Sequence, residues 1–138
     1  MSSPDSAPSD INWDQLRQVA LEMTKRAYAP YSNFSVGAAA ITTTGSIVSG
    51  TNVENVSYGL TLCAECGLVS DLVAHSAGKL VAVVVVSGSG EHCAPCGRCR
   101  QLLVEHAAPH ALINTAEGPR PVVDLLPGHF DVSRLKDG

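Results

Sequence analysis

The run Leu80-Val81-Ala82-Val83-Val84-Val85-Val86 constrains the fold more than any other part of the chain. It is apolar without interruption and mostly β-branched, which favours extended backbone. A strand with no polar alternation has no face to give to water, so it must be covered on both sides. It is also far shorter than the roughly 20 apolar residues that cross a bilayer as a helix. The chain is therefore expected to build a sheet with helices on both faces.

The flanking sequence supplies those helices and the other strands. Trp13, Leu16, Val19, Ala20, Met23 and Ala27 recur at helical spacing. Asn12 followed by Gln15 reads as a capping box that opens this helix, and Ala29-Pro30 is expected to end it. Phe34–Ile41 and Ser46–Val53 are strand-like runs joined by Thr42-Thr43-Thr44-Gly45, which predicts a hairpin. Asn55–Leu60 reads as loop. A second helix is expected from Thr61 to about Ser76, broken by Gly78, and a third from Gly97 to about His106. Ala111–Asn114 is a short fourth strand, Val122–Leu126 is ambiguous, and Leu126-Pro127-Gly128 is a turn. The order α-β-β-α-β-α-β predicts an α/β fold with right-handed crossovers.

With 138 residues the chain is one domain rather than two. Residues 1–10 are Ser, Pro and Asp around a single Ala, with no basic start and no apolar core. They read as a disordered tail rather than a signal peptide, leaving 11–138 as a single domain. A reducing, cytoplasmic compartment follows as the expectation, and there five cysteines favour metal binding or catalysis over disulfides. A net charge of −4 argues against nucleic acid and against an anionic membrane as partners. Charged residues make up only 16% of the chain, so part of its surface is expected to be covered by self-association.

The chemistry is carried by Cys63-Ala64-Glu65 and Pro95-Cys96-Gly97-Arg98-Cys99. Both groups sit at the start of an expected helix, where free N–H groups and a partial positive charge favour thiolate. Cys63, Cys96 and Cys99 on two such starts are candidates to hold one Zn²⁺, leaving the fourth tetrahedral position open for water, as in catalytic zinc sites. Zinc makes hydroxide available near neutral pH, and Glu65, two residues from a ligand, is placed to carry the proton. A ligand-x-Glu followed by Pro-Cys-x-x-Cys is the signature of zinc deaminases. The competing reading is a closed structural site completed by Cys66 in a non-enzymatic module. Against it, a whole buried strand separates Cys66 from Cys96. Cys93 reads as an ordinary cysteine, and the five histidines show no ligand spacing.

From about Leu16 to Phe130 the sequence resembles the cytidine deaminases of the small, homotetrameric bacterial type. The resemblance is carried by Tyr28-Ala29-Pro30-Tyr31-Ser32, Phe34-Ser35-Val36-Gly37-Ala38-Ala39 and Asn52-Val53-Glu54-Asn55. The two cysteine motifs (the second extended by Arg100-Gln101) and Leu125-Leu126-Pro127-Gly128-His129-Phe130 complete it. It implies a three-layer α/β/α sandwich around a mixed sheet of about five strands. It also implies hydrolytic deamination of cytidine and 2′-deoxycytidine to uridine and 2′-deoxyuridine with release of ammonia, in pyrimidine salvage, with zinc-bound hydroxide as nucleophile. Glu65 would shuttle protons to N3 and to the leaving ammonia. Asn52 and Glu54, in the segment with Val53, would bind the ribose 3′-hydroxyl, Phe34 would pack on the pyrimidine, and the Ala64 backbone would contact the base. Tyr58 and Phe130 would reach into a neighbouring subunit's site of a homotetramer. A deaminase of the same fold acting on another aminopyrimidine nucleoside is the alternative enzyme.

Two positions depart from that pattern. The residue after the glutamate is often arginine and here is Cys66, and Arg98 stands where many relatives carry a small residue. Three thiolates and Zn²⁺ sum to −1, so a donor is wanted beside them. The helix starts supply part of it, and Arg98 is the candidate for the rest.

Overall fold

The computed structural model describes residues 8–136. The first seven positions of the expected disordered tail lie outside the described residues. Helix α1 (Trp13–Thr24) leads into a hairpin of β1 (Val36–Thr42) and β2 (Ile47–Thr51). Helix α2 (Ala64–Ala74), strand β3 (Leu80–Ser87), helix α3 (Gly97–His106) and strand β4 (Ala107–Thr115) follow. A short strand β5 (Gly118–Pro121), a 3₁₀ turn over Val122–Leu125 and helix α4 (Val132–Lys136) complete the order. The five strands lie in the order β2-β1-β3-β4-β5, and only the β3/β4 pair is parallel. The sheet is therefore mixed, as the resemblance implied.

β3 is covered on both faces, as its unalternating sequence requires. Ala82, Val84 and Val86 pack with Leu16 and Ala20 of α1 and with Ala39. Val83 and Val85 pack on the opposite side with Leu68 and Leu72 of α2, Leu103 of α3 and Ile113. All five of these β3 side chains are at most 1% exposed. Each buried valine contributes about 1.5 kcal/mol or more, so this strand anchors both layers.

The helices approach the sheet closely where the strands beneath them carry glycine. A Cβ built on Gly37 would stand 1.9 Å from the Ala20 carbonyl oxygen of α1. On the other face, a Cβ on Gly50 would meet the Ala64 carbonyl oxygen at 2.3 Å and the Leu68 nitrogen at 2.4 Å. Gly67 of α2 faces the Gly50 Cα. The backbones of α2 and β2 are thus in direct contact.

Element ends differ from the sequence reading for identifiable reasons. Asn12 caps α1 as expected, its side chain accepting from the Gln15 N–H at 3.1 Å. The helix ends at Thr24 rather than near Ala29, because Tyr28 is drawn into hydrogen bonds with Asn52 and Glu54. Helix α2 starts at Ala64 rather than Thr61, because Leu62 exchanges backbone hydrogen bonds with Val53 at 2.8 and 2.9 Å. It stops before Ser76 and Gly78, both of which take positive φ. β4 is longer than expected. β5 is not anticipated by the sequence reading, since Gly-Pro-Arg-Pro is a poor strand sequence; at the sheet edge the missing proline N–H groups are tolerated. The ambiguous segment near Val122 is a 3₁₀ turn, and α4 is too short to leave a periodic signal.

Gly50→Ala is expected to destabilise the protein by about 3 kcal/mol, the upper range for overpacking, since its Cβ meets backbone rather than a side chain that can move. Gly59→Ala, where a Cβ meets nothing within 4 Å, is expected to stay within about 0.5 kcal/mol of the parent. Urea unfolding of the two variants measures the difference.

Candidate metal centre and active site

The two cysteine motifs converge because of strand direction. β2 and β3 both run antiparallel to β1, so their C-terminal ends lie along the same edge of the sheet. α2 follows β2 and α3 follows β3, which brings both helix starts to that edge. Cys63 and Cys96 are the N-cap residues, both in extended backbone, and Cys99 lies in the first turn of α3. The Sγ atoms of Cys63, Cys96 and Cys99 all lie within 4.8 Å of one another. Tetrahedral zinc with bonds near 2.3 Å needs about 3.8 Å between sulfurs, so the group fits zinc with little movement. Cys66 stands outside this group, and its Sγ accepts from Arg98 at 3.4 Å. Cys93 is also outside it, half-buried against the core, its N–H donating to the Val85 carbonyl at 3.0 Å.

The electrostatics suit a cation. Burial pushes the Cys63 and Cys99 thiols up. The first-turn N–H groups of α3, that of Cys99 foremost, hold the Cys96 thiol below its usual range. Cys99 is buried, Cys63 half-buried and Cys96 exposed, so the group opens to solvent on one side. Glu65 is 3% exposed, and burial raises its carboxyl above the usual carboxylate range while the Cys99 thiol beside it works the other way. A carboxyl poised toward its protonated form is suited to accept and return a proton.

The segment from Asn52 to Glu54 is knitted to the same edge. Val53 pairs with Leu62, the residue before Cys63. Asn52 is buried, its Oδ1 accepting from the Val36 N–H and its Nδ2 donating to the Phe34 carbonyl, both at 2.9 Å. Its side chain therefore fixes the backbone on either side of Ser35 and retains one N–H for another partner. Glu54 accepts from the backbone N–H groups of Tyr31 at 3.0 Å and Ser32 at 3.1 Å, and from the Ser32 hydroxyl. The Ser32 hydroxyl, with the two backbone donors, holds the Glu54 carboxyl below its usual range. Ser32 Oγ also accepts from the Phe34 N–H at 3.0 Å, linking the carboxylate to the aromatic residue. Sequence reasoning missed Ser32 and Gly50. A glycine inside a strand is the available signal for the second, since it marks close backbone approach.

A cleft of about 390 Å³ is lined by Tyr31, Ser32, Glu54, Tyr58 and Thr61. Tyr58 is exposed and meets Tyr31 edge-on with ring centroids 6.2 Å apart. Phe34 and Phe130 are also exposed, and the Phe130 carbonyl is tied to α3 by Gln101 Nε2 at 2.8 Å. Ala64 is buried, with its carbonyl side against Gly50.

Fold and thiol group together define an α/β/α protein in which three cysteines that could hold a metal ion stand beside a buried glutamate. The family model described as "Cytidine and deoxycytidylate deaminase zinc-binding region" matches residues 11–115. The chain belongs to this family. It is 49% identical over 126 residues to a cytidine deaminase of Mycobacterium tuberculosis, covering 91% of this chain and 95% of that protein. The crystal structure of the Mycobacterium tuberculosis cytidine deaminase superposes with a TM-score of 0.86 at 50% identity, covering 89% of this chain and 100% of that one. That of the Mycobacterium leprae cytidine deaminase gives 0.83 at 51% identity, covering 86% and 99%. Among the described residues no helix is long and apolar enough to cross a membrane.

If Cys66 is not a ligand, Cys66→Ser retains about one zinc per chain, whereas Cys63→Ser loses most of its zinc. Metal analysis of both variants after exhaustive desalting checks this, and equal loss from the two would make the site closed.

Proposed function

We propose that the chain hydrolyses cytidine and 2′-deoxycytidine to uridine and 2′-deoxyuridine, releasing ammonia, as a cytoplasmic enzyme of pyrimidine salvage whose residues 11–138 form one deaminase domain. The observation that carries this reading is the open group of Cys63, Cys96 and Cys99 beside buried Glu65. Those three cysteines would hold Zn²⁺, which when bound supplies the Lewis acidity that brings water's pKa down to about 7. Glu65 takes a proton from the attacking water, delivers it to N3 of the cytosine, and moves the second proton to the departing amine. Water enters, ammonia leaves, and the ring gains a carbonyl at C4.

Binding is divided among the neighbouring elements. Glu54 and the remaining N–H of Asn52 hold the sugar hydroxyl, Phe34 packs on the ring, and the Ala64 backbone meets the base. The cleft with Glu54 has no Lys or Arg in its lining, and the carboxylate repels a 5′-phosphate. A nucleoside suits it better than a nucleotide.

The same reading includes a homotetramer with shared sites. Its support is a run of exposed apolar side chains at alternate positions: Val56 and Tyr58 are each 76% exposed, Leu60 64% and Leu62 50%. Phe130, Val132 and Leu135 are exposed as well. Apolar surface gathered in this way marks an interaction site, and it adjoins the cleft through Tyr58.

Glu65→Gln keeps the shape and removes the proton carrier. Turnover of cytidine, followed by ultraviolet absorbance, is expected to fall by at least ~10²–10⁴ with about one zinc per chain retained. Loss of metal together with activity would make Glu65 structural, and turnover of another aminopyrimidine nucleoside but not cytidine would move the substrate. Sedimentation at assay concentration should give a tetramer; a fully active monomer would refute the shared site.

A further inference from the structure

Arg98 lies between two of the cysteines in sequence, yet its side chain turns to the third cysteine's segment. Nη2 is 3.4 Å from Cys66 Sγ and 3.4 Å from the Thr61 carbonyl oxygen. Thr61 precedes Cys63 and Cys66 follows it, so the guanidinium from α3 clamps the start of α2 on both sides of that cysteine.

A cation beside the loaded group offsets its excess negative charge. Three thiolates and Zn²⁺ carry a net −1, and each helix start offers only about half a positive charge, screened by solvent on the exposed Cys96 side. The described His, Lys and Arg side chains include no other hydrogen bond to a cysteine sulfur. We propose that Arg98 is a positioning residue of the metal group, its guanidinium seated on Cys66 so that it withdraws charge from the thiolates and joins the two ligand-bearing helix starts. Cys66 then serves as the arginine's acceptor and not as a fourth ligand. This rests on the reading of Cys63, Cys96 and Cys99 as ligands.

The test reads zinc rather than turnover, so it decides the role of Arg98 whether or not cytidine is the substrate. Zinc-loaded full-length protein, Arg98→Ala, Arg98→Lys and the double variant Cys66→Arg/Arg98→Ala are mixed with a chromogenic chelator, and the rate of zinc loss is followed. Arg98→Ala should lose zinc roughly 10–100-fold faster, the range typical of groups that support metal ligands. Arg98→Lys should fall between it and the parent. The double variant returns a guanidinium to the same place from α2 and should recover most of the retention. In cobalt-substituted protein, the sulfur-to-cobalt charge-transfer band should move to longer wavelength in Arg98→Ala and return in the double variant, a signature that loosened packing alone would not give. Zinc loss within twofold of the parent for Arg98→Ala, with an unmoved cobalt band, would overturn the proposal.

Discussion

The contact of α2 with β2, backbone on backbone, sets the positions of the groups at the active edge. Gly50 and Gly67 remove the side chains that would otherwise hold the two elements apart. The atom closest to the Gly50 Cβ position is the carbonyl oxygen of Ala64, the residue between Cys63 and Glu65. A displacement of the helix there would move the proposed ligand and the proposed proton carrier together. Metal sites tolerate ligand errors of only about 0.2 Å, so a rigid seat for α2 is a chemical requirement as much as a packing one. The covered valines of β3 then fix α3 in the same frame, because both helices pack on one face of one sheet.

A second constraint comes from economy of backbone. The stretch from Asn52 to Glu54 pairs with Tyr28 on one side and Leu62 on the other. It therefore joins the loop before β1 to the loop before α2. Asn52 uses both ends of its amide to hold Phe34 and Val36, and Glu54 uses both oxygens to hold the Tyr31–Ser32 turn. The polar groups assigned to the sugar are thus already bound to the protein before substrate arrives. That pre-organisation limits the ordering cost of binding.

The architecture was legible where the sequence pattern was strong. The unalternating valines announced a two-sided sheet, and the Asn12 cap and the cysteine-bearing start of α3 were readable from local chemistry. The ends of α1 and α2 were not, because each is cut short by a pairing with Val53 or its neighbours that no local window contains. β5 was hidden by its prolines, and Ser32 by being a single polar residue in a turn. Its importance lies in joining Glu54 to Phe34, a relation among three residues that only folding brings together. Arg98 was visible as a departure from the family pattern, but its seat on Cys66 needed coordinates.

The exposed aromatic residues have a physical consequence of their own. A deaminase gains by excluding water from around its reacting groups, since charges interact more strongly where solvent is absent. In the single chain, Phe34, Tyr58 and Phe130 each leave about half or more of their surface in solvent, and Cys96 is exposed as well. Among the described residues, Cys96, Phe34, Tyr58 and Phe130 are left uncovered. α4, which follows Phe130, is too short to act as a lid and itself exposes Val132 and Leu135. The apolar segment from Val56 to Leu62 is continuous with the cysteine helix, so covering it with another copy would shield the cleft and bury the apolar surface in one step. In the proposed tetramer, association and catalysis would draw on the same residues, and a chain this poor in charge could place its chemistry at an edge rather than in a deep pocket.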